Sequence, residues 1–275
     1  MAVIVKGDGT REEFHIEKLI GSLKHAGADE AFAQKIAEEV NTEIQDGMST
    51  TEIYRHAFKH LRKNERVTAA RYSMRRAILD LGPTGFPFED YISELMRAKG
   101  YATKTRVVVQ GRCVEHEVDV VMEKDGHTIG AELKFHNTPG FKTDVKTALY
   151  VKARFDDIVS GANERNEKAG IDEGCLITNT KFTTHAIQYA ECAGIRLLGW
   201  SYPREESLAD IIRSTGMYPV TVLTSLTGAE KIRLLQSGTT LCNAIHQNPE
   251  VLHRLGLSEK KIAEALTESK ALCNL

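Results

Sequence analysis

The tetrapeptide Lys124-Asp125-Gly126-His127 constrains this chain more tightly than any other stretch. Asp-Gly is the pair favoured at the centre of a two-residue type I′ hairpin loop, where both residues need positive φ. Such a loop sets residue 124 opposite 127 and fixes the register of everything outward from it. Asp119 then faces Glu132, and Glu117 faces Lys134. Side chains alternate with a period of two, so Glu132 and Lys134 share a face, and directly opposed residues share it too. The register predicts that Asp119, Glu132 and Lys134 converge. Ala131 and Leu133 point the other way, and Val118, Val120 and Val121 make the strand mostly apolar. Charges inside such a strand need a reason.

Two carboxylates and an ammonium at that distance suit a hard divalent cation such as Mg²⁺, which prefers oxygen ligands. The lysine could then position or deprotonate an attacking water and offset phosphate charge, as phosphodiester hydrolysis requires. Glu89, near the start of the preceding helix, could orient a water or a second metal. The competing reading is a cross-strand ladder of ion pairs worth roughly 0.2–1 kcal/mol each. An acidic residue, any residue and lysine also occur at Asp144-Val145-Lys146, Glu259-Lys260-Lys261 and Glu268-Ser269-Lys270, all in helical patterns. The residues alone leave both readings open.

The 275 residues exceed one ordinary domain. Gly82-Pro83-Thr84-Gly85-Phe86-Pro87 ends a helical pattern abruptly, and Gly216-Met217-Tyr218-Pro219 makes a softer break before an extended Val220-Thr221-Val222-Leu223. Three segments result, 1–82, 83–223 and 224–275, with formal charges of 0, −3 and +1. None is a polybasic coat for nucleic acid, although a local basic site is compatible with this balance. The first segment reads as a hairpin, Val3 to Lys6 and Arg11 to Phe14 around Gly7-Asp8-Gly9, on a four-helix body. The second reads as helix, three strands, helix, strand, helix, strand, which is an α/β layer fold. Five cysteines without a C-x-x-C pair favour neither a disulfide framework nor a zinc site. With no signal peptide and no apolar run of about 18 residues, a soluble cytoplasmic protein is expected.

The order of a helix with Glu89, a strand with Asp119 and then Glu132-Leu133-Lys134 resembles the PD-(D/E)XK nuclease superfamily. Gly174-Cys175-Leu176-Ile177-Thr178-Asn179-Thr180-Lys181-Phe182-Thr183, His185-Ala186, Tyr189-Ala190 and Gly194-Ile195-Arg196-Leu197 are similar to its Mrr-type restriction endonuclease branch, over most of 86–201. Many members of that branch carry Gln where Glu132 stands; Glu is the wider superfamily's form. The resemblance implies a Mg²⁺-dependent endodeoxyribonuclease in which Asp119 and Glu132 bind the metal with the Leu133 carbonyl. Lys134 handles the water and Glu89 supports the site.

Lys6, Arg11 and Lys18 gather at one end of the hairpin, as a polyphosphate would require or as a solvated face would also allow. The chain has no G-x-x-x-x-G-K-[ST] loop. Val3 to Arg11, Phe14, Glu17-Lys18-Leu19, Ser22-Leu23, Ala26 and Ala69-Ala70-Arg71-Tyr72 together resemble the ATP-cone, with Lys6-Gly7-Asp8-Gly9 where that family usually has Lys-Arg-Asp-Gly. That resemblance implies binding of ATP or dATP for regulation, not hydrolysis.

The third segment carries glycine-punctuated helix joints. The second, Leu252 to Lys261, is similar to a helix-hairpin-helix, in which Gly256 brings backbone close to a DNA phosphate while Lys260 and Lys261 add charge. A glycine C-cap between packed helices explains the same residues. His56 and His60 share one helix face without an evident third ligand, and read as a surface pair. His116 contacts phosphate or caps its strand. Trp200 and Tyr202 close the edge of the core.

The expected architecture is multidomain α/β: a mostly helical ATP-cone with a hairpin lid, a central restriction endonuclease-like domain and a small helical module. Its expected partners are DNA, an adenine nucleotide and further copies of the chain as a homo-oligomer, with no membrane. The rival expectation is a nucleotide-responsive, non-catalytic DNA-binding regulator on a nuclease platform.

Overall fold

The computed structural model describes residues 2–138, 140–165 and 170–273. They form two compact units, Met1–Asp80 together with Tyr218–Leu275, and Leu81–Met217. No helix among the described residues is long and apolar enough to cross a membrane.

In the first unit, β1 (Val3–Val5) and β2 (Arg11–Glu13) pair antiparallel with Val5 opposite Arg11. Their turn is closed by the Asp8 carboxylate, which accepts from the Thr10 N–H at 3.1 Å and hydroxyl at 2.6 Å, and by Gly9 at φ +82°. The hairpin is stitched to the body where the Val5 N–H donates to the Met48 carbonyl at 3.0 Å. Helices α1 (Ile16–His25), α2 (Glu30–Glu43) and α3 (Thr50–Asn64) follow. Asp29 caps α2, and Ser49 with Glu52 forms a capping box on α3, so each start is fixed by orphan N–H groups finding oxygens. Leu23, Ile36, Val40 and Leu61 are fully buried between them. The fourth expected helix is two, α4 (Arg66–Tyr72) and α5 (Met74–Leu79). The break falls at Ser73, whose hydroxyl donates back to the Ala70 carbonyl at 2.9 Å and competes with the helical backbone.

The second unit opens with α6 (Phe86–Ala98), followed by β3 (Ala102–Gln110), β4 (Glu115–Lys124) and β5 (His127–Lys134). Next come β6 (Lys142–Thr143), α7 (Val145–Glu164), β7 (Glu173–Thr178), β8 (Lys181–Phe182), α8 (Thr184–Ala193), β9 (Arg196–Leu198) and α9 (Leu208–Thr215). The main sheet has the order β3-β4-β5-β7-β9, antiparallel from β3 to β5 and parallel from β5 to β9. Helix α7 is the crossover that a parallel β5–β7 pair requires. It lies close because two strand glycines make room: a Cβ on Gly130 or on Gly174 would come within 2.5 Å of the Phe155 ring. On the opposite face Met96 of α6 and Ile211 of α9 line one small cavity with Met122, Ile129 and Ile177.

The chain then returns to the first unit. Residues 220–222, expected as extended chain, form a 3₁₀ turn. Pro219 presets the turn, the Val222 N–H donates to its carbonyl at 3.0 Å, and the Thr221 hydroxyl donates to the Ala77 carbonyl at 2.6 Å. Residues 218–223, set by the sequence at the end of the middle segment, thus pack with the first unit. Helices α10 (Gly228–Gln236), α11 (Ala244–Gln247), α12 (Glu250–Arg254) and α13 (Glu259–Cys273) complete it. Helix α11 starts only at Ala244, because Leu241 bridges Pro219 and the Cys242 N–H donates to the Tyr218 carbonyl at 2.8 Å.

Glu268 of α13, only 5% exposed, holds this return in place. It accepts from the Thr224 N–H at 2.7 Å, the Thr224 hydroxyl at 2.6 Å and the Ser225 N–H at 2.8 Å, while Arg62 of α3 donates to the Thr224 carbonyl at 2.9 Å. Glu268→Ala strands two backbone donors and should lower stability by about 2–3 kcal/mol, read from urea unfolding followed by circular dichroism. A loss below ~0.5 kcal/mol would mean that water satisfies the turn as well as the carboxylate does.

Candidate active site

The hairpin loop has the conformation its residues demand, with Asp125 at φ 53°, Gly126 at φ 77° and Lys124 opposite His127. The β4–β5 ladder runs from there to Val120 opposite Ala131. Beyond it the Leu133 N–H donates to the Asp119 carboxylate at 2.6 Å. The β3–β4 ladder is interrupted at the same residue: Thr105 faces Val120 and Val107 faces Val118, with no pairing at Asp119 between them. The residue across from it, Arg106, adopts φ 54°, a left-handed conformation that costs a non-glycine residue about 1–3 kcal/mol. Its guanidinium is held from α6 by Glu89 at 3.1 Å and Asp90 at 2.9 Å. Asp119 therefore stands where both neighbouring ladders open.

Around it the charges are dense. Glu132 is 4% exposed, and both its oxygens are engaged. Lys134 Nζ lies 2.6 Å from Oε1, and Arg154 of α7 binds Oε2 while also donating to the Glu117 carbonyl at 2.8 Å. The other arm of Arg154 donates to the Tyr150 hydroxyl, and the Tyr150 ring lies under both cations, 4.9 Å from the guanidinium carbon and 5.7 Å from the Lys134 ammonium. Burial and the negative charge of Glu132 push the Asp119 carboxyl up to about 6, against the pull of the Leu133 N–H and Lys134; Glu89 adds a smaller push. Glu89 itself is raised, chiefly by burial, with Arg106 opposing.

The structure thus brings the sequence-chosen Glu89, Asp119, Glu132 and Lys134 into one electrostatic neighbourhood. Sequence reasoning missed Arg106, Tyr150 and Arg154. The i, i+4 spacing of Tyr150 and Arg154 on the long helix carried a usable signal; nothing local marked Arg106, since an arginine at positive φ has no sequence signature. His116 is engaged elsewhere, 2.8 Å from Asp157, which also accepts from the Cys113 N–H at 2.9 Å. That His116 bond, above all, holds the Asp157 carboxyl down at about 2. Tyr202 meets Phe182 edge-on and Glu191 at 3.1 Å, as a residue closing the core edge.

The donor set at Asp119 fits Mg²⁺. Among the described residues no three His, Cys, Asp or Glu side chains group as a metal cage. Mg²⁺ needs none, because it keeps several waters and takes one or two carboxylates. A divalent ion between Asp119 and Glu132 would relieve the repulsion that now raises Asp119.

In the first unit, Lys6 and Lys18 converge on Glu12, at 2.7 and 3.2 Å, and hold its carboxyl below the usual range. Glu12 was not foreseen. Arg11 is exposed beside it on the hairpin. Behind Lys18 lies a cavity of about 200 Å³ bounded by Phe14, His15, Thr50 and the stacked Tyr54–Tyr72 pair. His56 and His60 are met from α2: His60 lies 2.8 Å from Glu39 and 3.2 Å from Glu43, and His56 also binds Glu43. They cross-link two helices. Gly256 has φ 72° at the α12–α13 joint, Lys260 is exposed, and Lys261 is paired with Glu230 at 2.7 Å.

Family models find an ATP cone domain followed by a restriction endonuclease domain. The family model of the ATP cone domain matches residues 2–80, that of a restriction endonuclease matches 83–200, and one described as AF1548-like, C-terminal, matches 218–273. An uncharacterized protein of Archaeoglobus fulgidus is 41% identical over 180 residues, which are 65% of this chain and 98% of that protein. The crystal structure of a protein of unknown function, AF1548, is 37% identical, with a TM-score of 0.56 over 70% of this chain and 99% of its own. The chain belongs to this AF1548-like family, and extends beyond the length it shares with those relatives.

The raised Asp119 has a consequence for stability. Its folded value, about 6, lies above the unfolded value of about 4. Its stabilising contribution is complete below about pH 4 and is lost as pH rises through about 6. In EDTA, Asp119→Asn should melt above wild type at pH 8, by a margin that shrinks towards zero below about pH 4. A margin constant from pH 4 to 8 would contradict the shift.

Proposed function

We propose that the protein is a Mg²⁺-dependent endodeoxyribonuclease whose activity responds to ATP or dATP bound at its cone. The observation that carries this reading is the convergence of Asp119, Glu132 and Lys134 where two ladders open. Asp119, Glu132 and the Leu133 carbonyl would hold Mg²⁺, which supplies Lewis-acid stabilisation of charge on the phosphate and a more acidic water. Lys134, beside Glu132, would orient the attacking water and offset charge on the phosphate. Glu89, held by Arg106, accepts a hydrogen bond from a water at the rim. The α12–α13 joint offers backbone N–H groups near Gly256 and the Lys260 ammonium to a DNA phosphate. Lys261 is available only by leaving Glu230. At the cone, Lys6 and Lys18 would exchange Glu12 for the nucleotide's phosphates, with Arg11 alongside. The five cysteines stand as free thiols, which suits the reducing cytoplasm.

Supercoiled plasmid incubated with Mg²⁺ should be nicked by the wild type, not in EDTA, and about 10²–10⁴ times more slowly by Lys134→Ala. Equal rates for wild type and variant, with DNA still bound, would favour the non-catalytic regulator instead. In calorimetry, Lys6→Ala and Lys18→Ala should each weaken ATP or dATP binding at least about tenfold, ~1.4 kcal/mol. Unchanged affinity would place the nucleotide elsewhere.

A further inference from the structure

Arg154 has no part in the motif that points to a nuclease, yet its side chain, 13% exposed, is built into the centre of the site. It caps the one oxygen of Glu132 that Lys134 leaves, donates to the Glu117 carbonyl and reaches the Tyr150 hydroxyl. Its Nε is buried without a hydrogen-bond partner. A guanidinium with an unspent buried donor is poised for an acceptor that presents two oxygens, as a phosphodiester does.

The charge balance says when it would find one. With Asp119 and Glu132 ionised, Lys134 and Arg154 already neutralise the pair. A divalent cation entering alone would leave a half-buried site with two surplus positive charges and would have to displace Arg154 from Glu132. A DNA phosphate arriving with the metal supplies negative charge and gives the displaced guanidinium a partner. The Tyr150 ring, half-exposed beneath the guanidinium, allows the shift while keeping the cation over an aromatic face.

We propose that Arg154 is the resting counter-ion of Glu132 and passes from that carboxylate to a substrate phosphate when metal and DNA bind, so that the two ligands bind cooperatively. The proposal rests on the metal-dependent nuclease reading above. It makes Arg154 a device that withholds metal from the empty enzyme, rather than a fixed bolt between α7 and the sheet. Coupling of this kind is reciprocal: whatever DNA does for metal affinity, metal does for DNA affinity.

The test is Ca²⁺ binding by calorimetry, with and without a DNA duplex, for the wild type and Arg154→Gln. Arg154→Gln should bind Ca²⁺ at least about fivefold more tightly than wild type without DNA, because the carboxylate is uncapped. The duplex should tighten Ca²⁺ binding at least about fivefold for wild type and less than about twofold for the variant. Ca²⁺ affinity in Arg154→Gln equal to or weaker than wild type, with coupling to DNA retained, would overturn the proposal and leave Arg154 a structural bolt. Circular dichroism checks folding; should Arg154→Gln not fold, Arg154→Lys, whose single ammonium cannot hold Glu132, the Glu117 carbonyl and the Tyr150 hydroxyl together, is read by the same criteria. Glu132→Gln separates the two levels of inference. If it binds Ca²⁺ as wild type does, the metal site itself is misplaced; if it loses Ca²⁺ while Arg154→Gln gains nothing, only the role of Arg154 fails.

Discussion

The hydrogen bond from the Leu133 N–H to the Asp119 carboxylate is the interaction on which the site depends. In an uninterrupted sheet that N–H would be spent on a strand carbonyl, and the carboxylates would project from a closed pleat. Here a side chain takes the donor, the ladder ends at Val120 and Ala131, and Arg106 turns left-handed on the other flank. The gap puts Asp119 beside Glu132 with Lys134 on the same face. The strain at Arg106, of order 1–3 kcal/mol, is offset by its two carboxylate partners on α6, and those partners include Glu89. One local departure from regular pairing therefore positions three of the four acidic and basic groups and steadies the fourth.

Electrostatics then explains how these charges are held together. Each acidic group has a cation or donor: Glu89 has Arg106, Glu132 has Lys134 and Arg154, and Asp119 has a backbone N–H. Of the three, only Asp119 lacks a full positive partner, and burial together with the charge of Glu132 pushes its carboxyl up to about 6. The middle segment's surplus of acidic residues is thus not a barrier to DNA at this point, since the acids nearest the chemistry are internally neutralised. The cone uses the same device, with Glu12 holding Lys6 and Lys18 together.

Much of this was legible because it rests on short-range rules. Asp125-Gly126 fixes a turn, the turn fixes a register, and the register brings Asp119, Glu132 and Lys134 to one face without knowledge of the rest of the fold. The hairpin of the cone and the α/β order of the middle domain were readable for the same reason. What was not legible depends on long-range packing. Arg154 reaches Glu132 because Gly130 and Gly174 let α7 lie against the sheet, and neither glycine announces a partner as distant in sequence as Phe155. Val220 to Leu223 looks extended by composition but is turned by bonds to Ala77 and Pro219. The return of residues 218–273 to the first unit is held by Glu268, and nothing in Glu268-Ser269-Lys270 announces its partners Thr224 and Ser225.

The central claim is that Asp119, Glu132 and the Leu133 carbonyl form a metal site at the opened ladder. Anomalous scattering from crystals soaked in Mn²⁺ tests it directly. The account predicts a single strong peak within bonding distance of those three groups, with Asp119 turned towards it. A fully soaked crystal with no peak there, and with Asp119 still on the Leu133 N–H and Glu132 still shared by Lys134 and Arg154, would contradict it.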